Sequence, residues 1–519
     1  MVKRGRDDDG AVAPAPAVEP ARQRHYLAIR RALNDQFVAD LTRKLTQNPT
    51  RRFDKEVADY EKFSRQLRNE YADVAAAIER DAAATFAAAG AIAKHGESFL
   101  WGTGDAGQLG FGEDVMELSR PKLLNTLPSA TSVLKVVCGG MHTLWIVDGG
   151  LVYSAGVNDE GALGRKANKD DADAETKPGP VRLPGGAAAV DLSTGDSHVA
   201  VVTSDGAVVA WGTFRTSSGL WAFTPDQQIA RSPITVYSPE TRAGRIASVA
   251  SGTDHVIART AGGDIYSWGC GEKGRLGRLP PADADNTSKR DASAKTKLLT
   301  ACKVPNLPEG GVTAIAAGSY HSLAFVAGAK EVYAWGLNSY GQLGLPYDMN
   351  EAGSNQVEYF PKRVAPLCGR GFVAGDGGEN HTVLLDDGGK VYALGRSAYG
   401  RLGLPGIDEM SDEPRSSAEH VVGVSKKATK VVAGGSTSAC VTDDGDAYVW
   451  GYGDLGQLGR GSDQSDALTP VRLAPTKAMG GKRVVDVSFG GQHTAALCLP
   501  PKGSEGTPIA KRTRGAGAA

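Results

Sequence analysis

Residues 264–277, DIYSWGCGEKGRLG, contain the pattern that decides the fold. An apolar, strand-like run ends in Trp268-Gly269, a polar turn follows, and the stretch closes with Gly-x-Leu-Gly. The pattern returns, with variations, at residues 99–110, 152–164, 208–221, 332–344, 391–403 and 448–459. The chain is therefore built from a repeated unit, and internal repetition of this kind is typical of stacked or closed arrays.

The repeat has a period of 54 to 67 residues, measured between the glycines that end the strand-like runs: Gly102, Gly156, Gly212, Gly269, Gly336, Gly395 and Gly451. A second marker, Gly-x-x-His, keeps the same period and ends at His142, His198, His255, His321, His381 and His493, while one copy has Ser438 instead. Asp-Gly pairs between the two markers are typical of hairpins, because glycine readily adopts positive φ. Each unit is therefore predicted to be a small antiparallel sheet.

The two ends of the repeated region complement each other. Residues 99–110 have no Gly-x-x-His segment before them, and residues 484–499 have no Trp-Gly segment after them. One blade assembled from both segments would close a ring and leave no long free sheet edge. The sequence therefore predicts an all-β fold, a seven-bladed β-propeller closed by a blade shared between the N- and C-terminal segments.

The composition indicates an ordinary globular protein. There are 58 Lys and Arg residues against 59 Asp and Glu residues, a balance that does not indicate a nucleic-acid or membrane partner. Six cysteines are scattered without metal-ligand spacing, so we expect buried thiols in a reducing compartment and no metal site. No run is long and apolar enough to span a bilayer, and no apolar signal segment is present. We expect an intracellular protein without a membrane partner.

Four regions are predicted along the chain. Residues 1–21 read as a disordered tail with a basic start and an Ala/Pro alternation, and residues 500–519 as a second disordered basic tail. Residues 22–97 carry two apolar stripes at helical spacing, joined near residues 47–50, and predict a helical extension, an αα-hairpin. Residues 98–499 form the propeller.

The variable positions beside each marker are the first place to look for a site. A residue that returns once per blade is more simply explained as part of the blade, and this applies to the histidines. The positions before them vary, and by the symmetry of the repeat they ring one mouth of the channel. Asp196, Asp254 and Glu379 fall there and predict an acidic rim suited to a basic protein partner.

Two interruptions break the repeat. The third unit lacks Gly-x-Leu-Gly and places Leu220 and Trp221 where other units turn, which predicts either an exposed aromatic anchor or simple repeat decay. The longest interval contains residues 280–297, PPADADNTSKRDASAKTK, which read as a polar, solvated loop carrying Lys289 and Arg290.

Several short motifs of the sequence resemble those of the regulator of chromosome condensation family, which are chromatin-bound guanine-nucleotide exchange factors for the small GTPase Ran. They are GDAGQLGFGEDVMELSRP (104–121), GGMHT (139–143), NDEGALGR (158–165), GDSH (195–198), WGTFR (211–215), AYGRLGL (398–404) and GGQHT (490–494). The resemblance covers roughly residues 98–499. It includes motifs specific to individual blades, which a generic repeat protein would lack.

The resemblance implies that Ran binds one face of the propeller and the nucleosome the other, in the nucleus, without a cofactor, a metal or a small-molecule substrate. It places Asp105, His142, Asp196, Asp254 and His493 on positions that contact Ran or support exchange. His381 is retained beside Asn380, which stands where the family has a histidine. The stretch Phe214, Arg215, Thr216, Ser217, Ser218, Gly219, Leu220 and Trp221 corresponds to the family's wedge, a hairpin directed at the GTPase. The family's tail is short and basic, whereas this chain adds the predicted helical extension of residues 22–97.

Chromatin contacts are expected from the basic groups that are free to meet a nucleosome. These are Lys3, Arg4 and Arg6 in the tail and Lys289 and Arg290 in the loop that resembles the family's nucleosome-facing loop. Two other functions stay open. A propeller scaffold could bind histones or another protein without exchange activity, and a plant photoreceptor shares this repeat, although its Gly-Trp-Arg-His-Thr words are missing here.

Overall fold

The structure is a computed structural model that describes residues 96–501 except residues 130, 169, 172, 348–355 and 409–410. The predicted helical extension up to residue 95, and the tail residues Lys3, Arg4 and Arg6, lie outside the described residues. The first strand, β1, begins at Glu97, one residue before the predicted start of the propeller. In the described part of the chain, no helix is long and apolar enough to cross a membrane.

Seven four-stranded antiparallel sheets and one two-stranded hairpin make up the sheet structure of the described residues. The strands are numbered in chain order. Blade 1 contains β1 (Glu97–Thr103), β2 (Glu117–Leu123), β29 (Arg483–Phe489) and β30 (His493–Leu499), and blade 2 contains β3 (Val133–Cys138), β4 (His142–Val147), β5 (Leu151–Gly156) and β6 (Gly179–Val181). Blade 3 contains β7 (Ala189–Thr194), β8 (His198–Thr203), β9 (Val208–Gly212) and β12 (Ala230–Tyr237), and blade 4 contains β13 (Ile246–Ser251), β14 (His255–Thr260), β15 (Ile265–Gly269) and β16 (Cys302–Lys303). Blade 5 contains β17 (Ala314–Ala317), β18 (His321–Val326), β19 (Glu331–Leu337) and β20 (Val357–Arg363). Blade 6 contains β21 (Phe372–Gly377), β22 (His381–Asp386), β23 (Val391–Gly395) and β24 (Arg415–His420). Blade 7 contains β25 (Ala428–Ala433), β26 (Thr437–Thr442), β27 (Ala447–Gly451) and β28 (Ala467–Arg472). The predicted seven-bladed β-propeller is confirmed.

Blade 1 combines strands from both ends of the described chain, in the order β2-β1-β30-β29. Strand β1 pairs antiparallel with β30, from Glu97 opposite Cys498 to Gly102 opposite His493. The other blades are built from consecutive strands, except that blade 3 admits the hairpin between β9 and β12. Blade 1 therefore has backbone hydrogen bonds that connect the start of the repeated region to its end.

The core lies between the blades. The second strand of most blades, such as β8, is buried at every residue, because both its faces pack against neighbouring blades. Such strands are continuously apolar rather than alternating. Tryptophans of the Trp-Gly marker reinforce the packing, since the indole of Trp211 donates to the carbonyl of Ala162 in blade 2 at 2.8 Å. Three more tryptophans, Trp101, Trp335 and Trp450, donate in the same way to the preceding blade.

Each blade has two ends, which we call front and back. At the front, the first strand turns into the second through the Gly-x-x-His marker, and the third strand leads into the fourth. Most glycines at the third strand's end have positive φ and sit against the marker turn, where a Cβ on Gly212 would lie 2.1 Å from the carbonyl oxygen of Ser197. The marker turns, the loops after the third strands and any insertion in those loops therefore share the front end.

The polar insertion is folded, which corrects the expectation of a solvated loop. It connects β15 to β16 and contains α2 (Pro281–Ala284) and α3 (Ala292–Leu299), while α1 (Asp173–Thr176) lies in blade 2. Helix α3 begins after Asp291, whose carboxylate accepts the Ala294 N–H at 3.0 Å, and Leu298 and Leu299 are buried. Short 3₁₀ turns occur at Asp148–Gly150, Pro184–Gly186, Glu272–Gly274, Ala327–Ala329, Ala365–Leu367 and Ala398–Gly400.

Candidate functional site

A cleft of about 540 Å³ opens at the front end between blades 2 and 3. Gly140 and Met141, from the first copy of the Gly-x-x-His marker, line it together with Glu160, Asp196 and Arg215. Asp196 is exposed, as predicted. The crowding of the surrounding loops partly desolvates its carboxyl group and raises its pKa, Arg215 opposes this shift, and Glu160 adds to it. The cleft therefore presents an acidic wall beside an apolar methionine.

A hairpin stands beside this cleft and forms the two-stranded sheet. Its strands are β10 (Phe214–Thr216) and β11 (Gly219–Ala222), with Phe214 opposite Ala222 and Thr216 opposite Gly219. We call residues 214–222 the wedge hairpin. Its turn is made of the polar residues Ser217 and Ser218, and Gly219 follows with a φ of 96°, which glycine adopts without strain.

The base of the wedge hairpin is apolar and buried. Phe214 stacks on Phe223 with ring centroids 5.4 Å apart and touches the imidazole of His198 at 4.6 Å. Trp221 is only 1% exposed and belongs to the same core as Trp268. The expectation that Trp221 is an exposed aromatic anchor is therefore wrong, because its indole is inside the propeller and the tip beyond it is polar.

The interruption in blade 3 changes the contact that the next blade makes. In four other blades the marker tryptophan donates to the carbonyl of the second residue of the preceding Gly-x-Leu-Gly. Blade 3 has no such turn, and Trp268 Nε1 of blade 4 has no hydrogen-bond partner among the described residues. Trp268 shares one buried cluster with Phe214 and Trp221 of the hairpin base, so the hairpin is built into the core at this joint.

Three acidic residues hold the hairpin from outside. Asp254 accepts a hydrogen bond from the Arg215 backbone N–H at 2.6 Å, and the Arg215 guanidinium forms an ion pair with Glu160. Glu272 accepts from both the backbone N–H and the hydroxyl of Ser217, at 2.9 and 2.8 Å. Sequence reasoning missed Glu160 and Glu272, because each lies 55 residues from its partner and neither is one of the residues that define the two markers.

Asp254 is a support of the hairpin rather than part of an open rim. It is 7% exposed, and burial raises its pKa to about 7, with Arg275 and the Arg215 N–H opposing the shift. Asp196 is exposed and Glu379 is half-exposed, so the predicted acidic rim contains two acids instead of three.

The predicted site histidines are buried and join neighbouring blades. The Nε2 atoms of His142, His381 and His493 lie 2.7, 2.9 and 2.7 Å from hydroxyl oxygens of the next blade. Burial lowers the pKa of His142 to about 4 and that of His493 to about 3. These contacts agree with the blade-building interpretation, although the partners are hydroxyls rather than backbone groups. The histidines offer no surface to a partner in this structure.

The remaining predicted residues are spread over the front end. Asp105 is exposed in the loop after β1, where it accepts from Gln108 Nε2 at 3.4 Å, whereas Asn380 is buried. Lys289 and Arg290 are exposed between α2 and α3. The insertion that carries them leaves blade 4 at the front end, after β15, where its Asp285 accepts the Lys273 N–H. Their contact with a nucleosome stays a prediction.

Comparison with known proteins identifies relatives over most of the chain. The family model of the RCC1-like domain matches residues 97–496. The human regulator of chromosome condensation is 37% identical over 404 residues, which cover 76% of this chain and 89% of the human protein. The guanine nucleotide exchange factor SRM1 of Saccharomyces cerevisiae is 29% identical over 77% of this chain and 86% of its own. The crystal structure of Prp20p from the same yeast, reported with its binding properties to Gsp1p and histones, has a TM-score of 0.69 and 27% identity over 80% of this chain and 94% of that chain.

Proposed function

Because this chain belongs to the RCC1-like domain family, we propose that it is a guanine-nucleotide exchange factor that promotes GDP release from the small GTPase Ran. The observation that carries the proposal is the wedge hairpin, which stands with a fixed polar tip beside the exposed carboxylate of Asp196. A scaffold that only bound histones would have no use for a supported hairpin at this place. The supported hairpin therefore favours exchange over the scaffold.

The proposed activity requires no bond-making chemistry. An exchange factor binds the nucleotide-free GTPase more tightly than the nucleotide-bound form, and linkage makes the weakening mutual. The phosphates and their Mg²⁺ supply most of the affinity of a GTPase for its nucleotide, so a hairpin directed at the phosphate-binding loop acts on the strongest contacts. Asp196 and Asp105 would bind the GTPase surface. The buried histidines and Asn380 would hold the loops of the front end in position.

Nucleosomes are the second proposed partner, and a nuclear, chromatin-associated location goes with them. The yeast relative Prp20p was studied with histones. Lys289 and Arg290 are exposed and can meet DNA phosphates or an acidic histone surface. Lys3, Arg4 and Arg6 are proposed to act with them, because two weak contacts on one particle raise the effective concentration.

The test is release of a fluorescent guanine nucleotide from Ran by the purified chain, run beside two unrelated small GTPases. We expect acceleration with Ran alone. Acceleration of all three would remove the assignment to Ran. Acceleration of none, together with binding to nucleosomes, would favour the scaffold.

A further inference from the structure

The wedge hairpin needs support from outside its own strands. Its strands contain three and four residues, and neither is hydrogen-bonded to a blade as part of a sheet. An isolated two-stranded hairpin is at best marginally stable in water. The buried side chains of Phe214 and Trp221 fix the base, but they lie at the far end from the turn. Asp254 and Glu160 hold the hairpin at Arg215, before the turn. The tip beyond Arg215 therefore depends on contacts of its own.

Glu272 supplies that contact from the neighbouring blade. Its two carboxylate oxygens are each used once, Oε2 by the Ser217 N–H at 2.9 Å and Oε1 by the Ser217 hydroxyl at 2.8 Å. A carboxylate that accepts two hydrogen bonds from one residue fixes both the position and the direction of that residue. Ser217 is the first residue of the turn, so this pair sets where the tip points.

The backbone around Glu272 is itself anchored. The Glu272 carbonyl accepts from Nε of the buried Arg275 at 2.7 Å, and the N–H of Lys273 donates to Asp285 in the insertion at 3.1 Å. Lys273 has a φ of 61°, which is costly for a side-chain-bearing residue and is held by this surrounding structure. The carboxylate is thus presented from a rigid turn.

From these contacts we infer that Glu272 is a positioning residue that holds the wedge tip of blade 3 from blade 4 and so prepares it for nucleotide release. The inference rests on the proposed function for its role in exchange, whereas the tether itself can be tested without any GTPase. Loss of the tether leaves the GTPase-facing carboxylate of Asp196 in place. It should therefore slow the release step more than it weakens binding.

The matched control is Asp454. It occupies the same position in blade 7, where GDLGQLG at residues 453–459 corresponds to GEKGRLG at residues 271–277, and it is exposed and bonded to Tyr452 of its own turn. Glu272→Ala removes both acceptors, Glu272→Gln keeps one neutral acceptor, and Asp454→Ala removes an equivalent acid far along the ring. All three are changes in surface turns.

The first measurement is amide hydrogen exchange of peptides covering residues 214–222 in the free full-length chain. We expect exchange in this segment to speed up about 3- to 10-fold in Glu272→Ala, less in Glu272→Gln and not in Asp454→Ala. Unchanged protection in Glu272→Ala would overturn the tether, whatever the protein's activity.

The second measurement is nucleotide release from Ran at varied Ran concentration. Glu272→Ala should lower kcat about 3- to 10-fold with little change in KM, and Glu272→Gln should recover part of the loss. A loosened hairpin with an unchanged kcat would overturn the positioning role. A wild-type chain inactive on Ran would overturn the proposed function, while the hydrogen-exchange result would still decide the tether.

Discussion

Asp196 and Asp254 stand at neighbouring marker positions along the ring, yet their surroundings give them different roles. Asp196 is exposed beside the cleft, whereas Asp254 is buried against the backbone of Arg215. The two acids differ in their place within the Gly-x-x-His marker, because Asp196 is its first variable residue and Asp254 its second, directly before the histidine. Ser197 and Asn380, at the second position of other copies, are buried as well. The interruption in blade 3 adds a hairpin that covers Asp254 from the preceding blade.

Replacement of Asp196 by Ala should leave the fold intact and slow exchange. The carboxylate is exposed, so we expect the melting temperature to stay within about 2 °C of wild type. Release of nucleotide from Ran should fall at least tenfold, the loss of about 1.4 kcal/mol of transition-state stabilisation or more. A marked drop in thermal stability, or normal release, would contradict the role given to this residue.

Acidification should destabilise the propeller below about pH 6.5. The pKa is about 4 for His142 and His321 and about 3 for His198 and His493, and that of His255 and His381 also lies well below 6.5, because burial disfavours the imidazolium in all six. The unfolded chain therefore binds more protons than the folded chain between pH 6.5 and 4, and each histidine contributes a loss of about 1.4 kcal/mol per pH unit over its window.

Three carboxyl groups work in the opposite sense. Burial raises the pKa of Asp254 to about 7 and that of Asp376 to about 6, and desolvation also raises the pKa of Asp196, so these groups favour the folded state at lower pH. Six histidines outweigh three carboxyls, and the urea midpoint should fall from pH 6.5 to 4. The variant His321→Gln should flatten this dependence by about one proton, because it removes one buried imidazole. An unchanged pH dependence in this variant would contradict the account.

The wedge hairpin is the element whose sequence interpretation changed most. Its position was predictable, because blade 3 breaks a marker that the other units keep. The burial of Trp221 was not, since an aromatic residue in an interrupted turn fits exposure and core packing equally well. The buried cluster that encloses it includes Trp268, which belongs to the next blade.

Replacement of Trp221 by Ala should therefore act on stability. A large buried side chain is lost from the joint between blades 3 and 4, and we expect about 3–5 kcal/mol less free energy of unfolding. Ser218→Ala, at the exposed turn of the same hairpin, should change stability by less than about 0.5 kcal/mol. Urea denaturation compares the two. Near-equal stability of both variants would mean that the hairpin base is not part of the core.

The insertion between β15 and β16 shows another limit of local patterns. Its central stretch is polar enough to suggest a solvated loop, and the buried Leu298 and Leu299 follow just after it. The cap formed by Asp291 could have been noticed, because Asp before a short run of helix-forming residues is a common helix start. The tertiary contact that fixes the insertion, from the Lys273 N–H to Asp285, joins residues within one loop without any periodic signal.

At the scale of the whole molecule, the propeller of the described residues could be predicted almost entirely, since the period of the two markers determines the number of blades. The side-chain contacts at the front end of the propeller could be predicted less well, because they join residues of different blades. Placement of the wedge hairpin and the insertion at the same end also gives two proposed partners neighbouring sites.

The double variant Lys289→Ala, Arg290→Ala should weaken nucleosome binding about 3- to 10-fold at physiological salt. The effect should grow at lower salt, where phosphate contacts are stronger. Lys426→Ala with Lys427→Ala is the matched control, since these exposed lysines lie in the loop between blades 6 and 7 at the back end. Titration of labelled nucleosomes at several salt concentrations measures both. An equal loss in the two pairs would indicate general charge attraction rather than a site.

Deletion of residues 493–519 should abolish cooperative unfolding. Strand β1 would lose its pairing with β30 and keep only β2, so the hydrogen bonds that connect the start of the repeated region to its end would be lost. We expect a broad urea transition in place of a sigmoidal one, followed by circular dichroism and by tryptophan fluorescence. A sharp transition common to both probes would show that the shared blade is dispensable.

The pairing of β1 with β30 also affects how the protein is made. Glu97 finds Cys498 roughly 400 residues later, so at a synthesis rate of about 5–20 residues per second β1 waits about 20–80 seconds for its neighbour. During that time Phe99 and Trp101 lack the residues of the last blades that they pack against, although the finished protein buries both completely. A nascent propeller of this kind is a natural client for chaperones that shield the first strand until the ribosome releases the last.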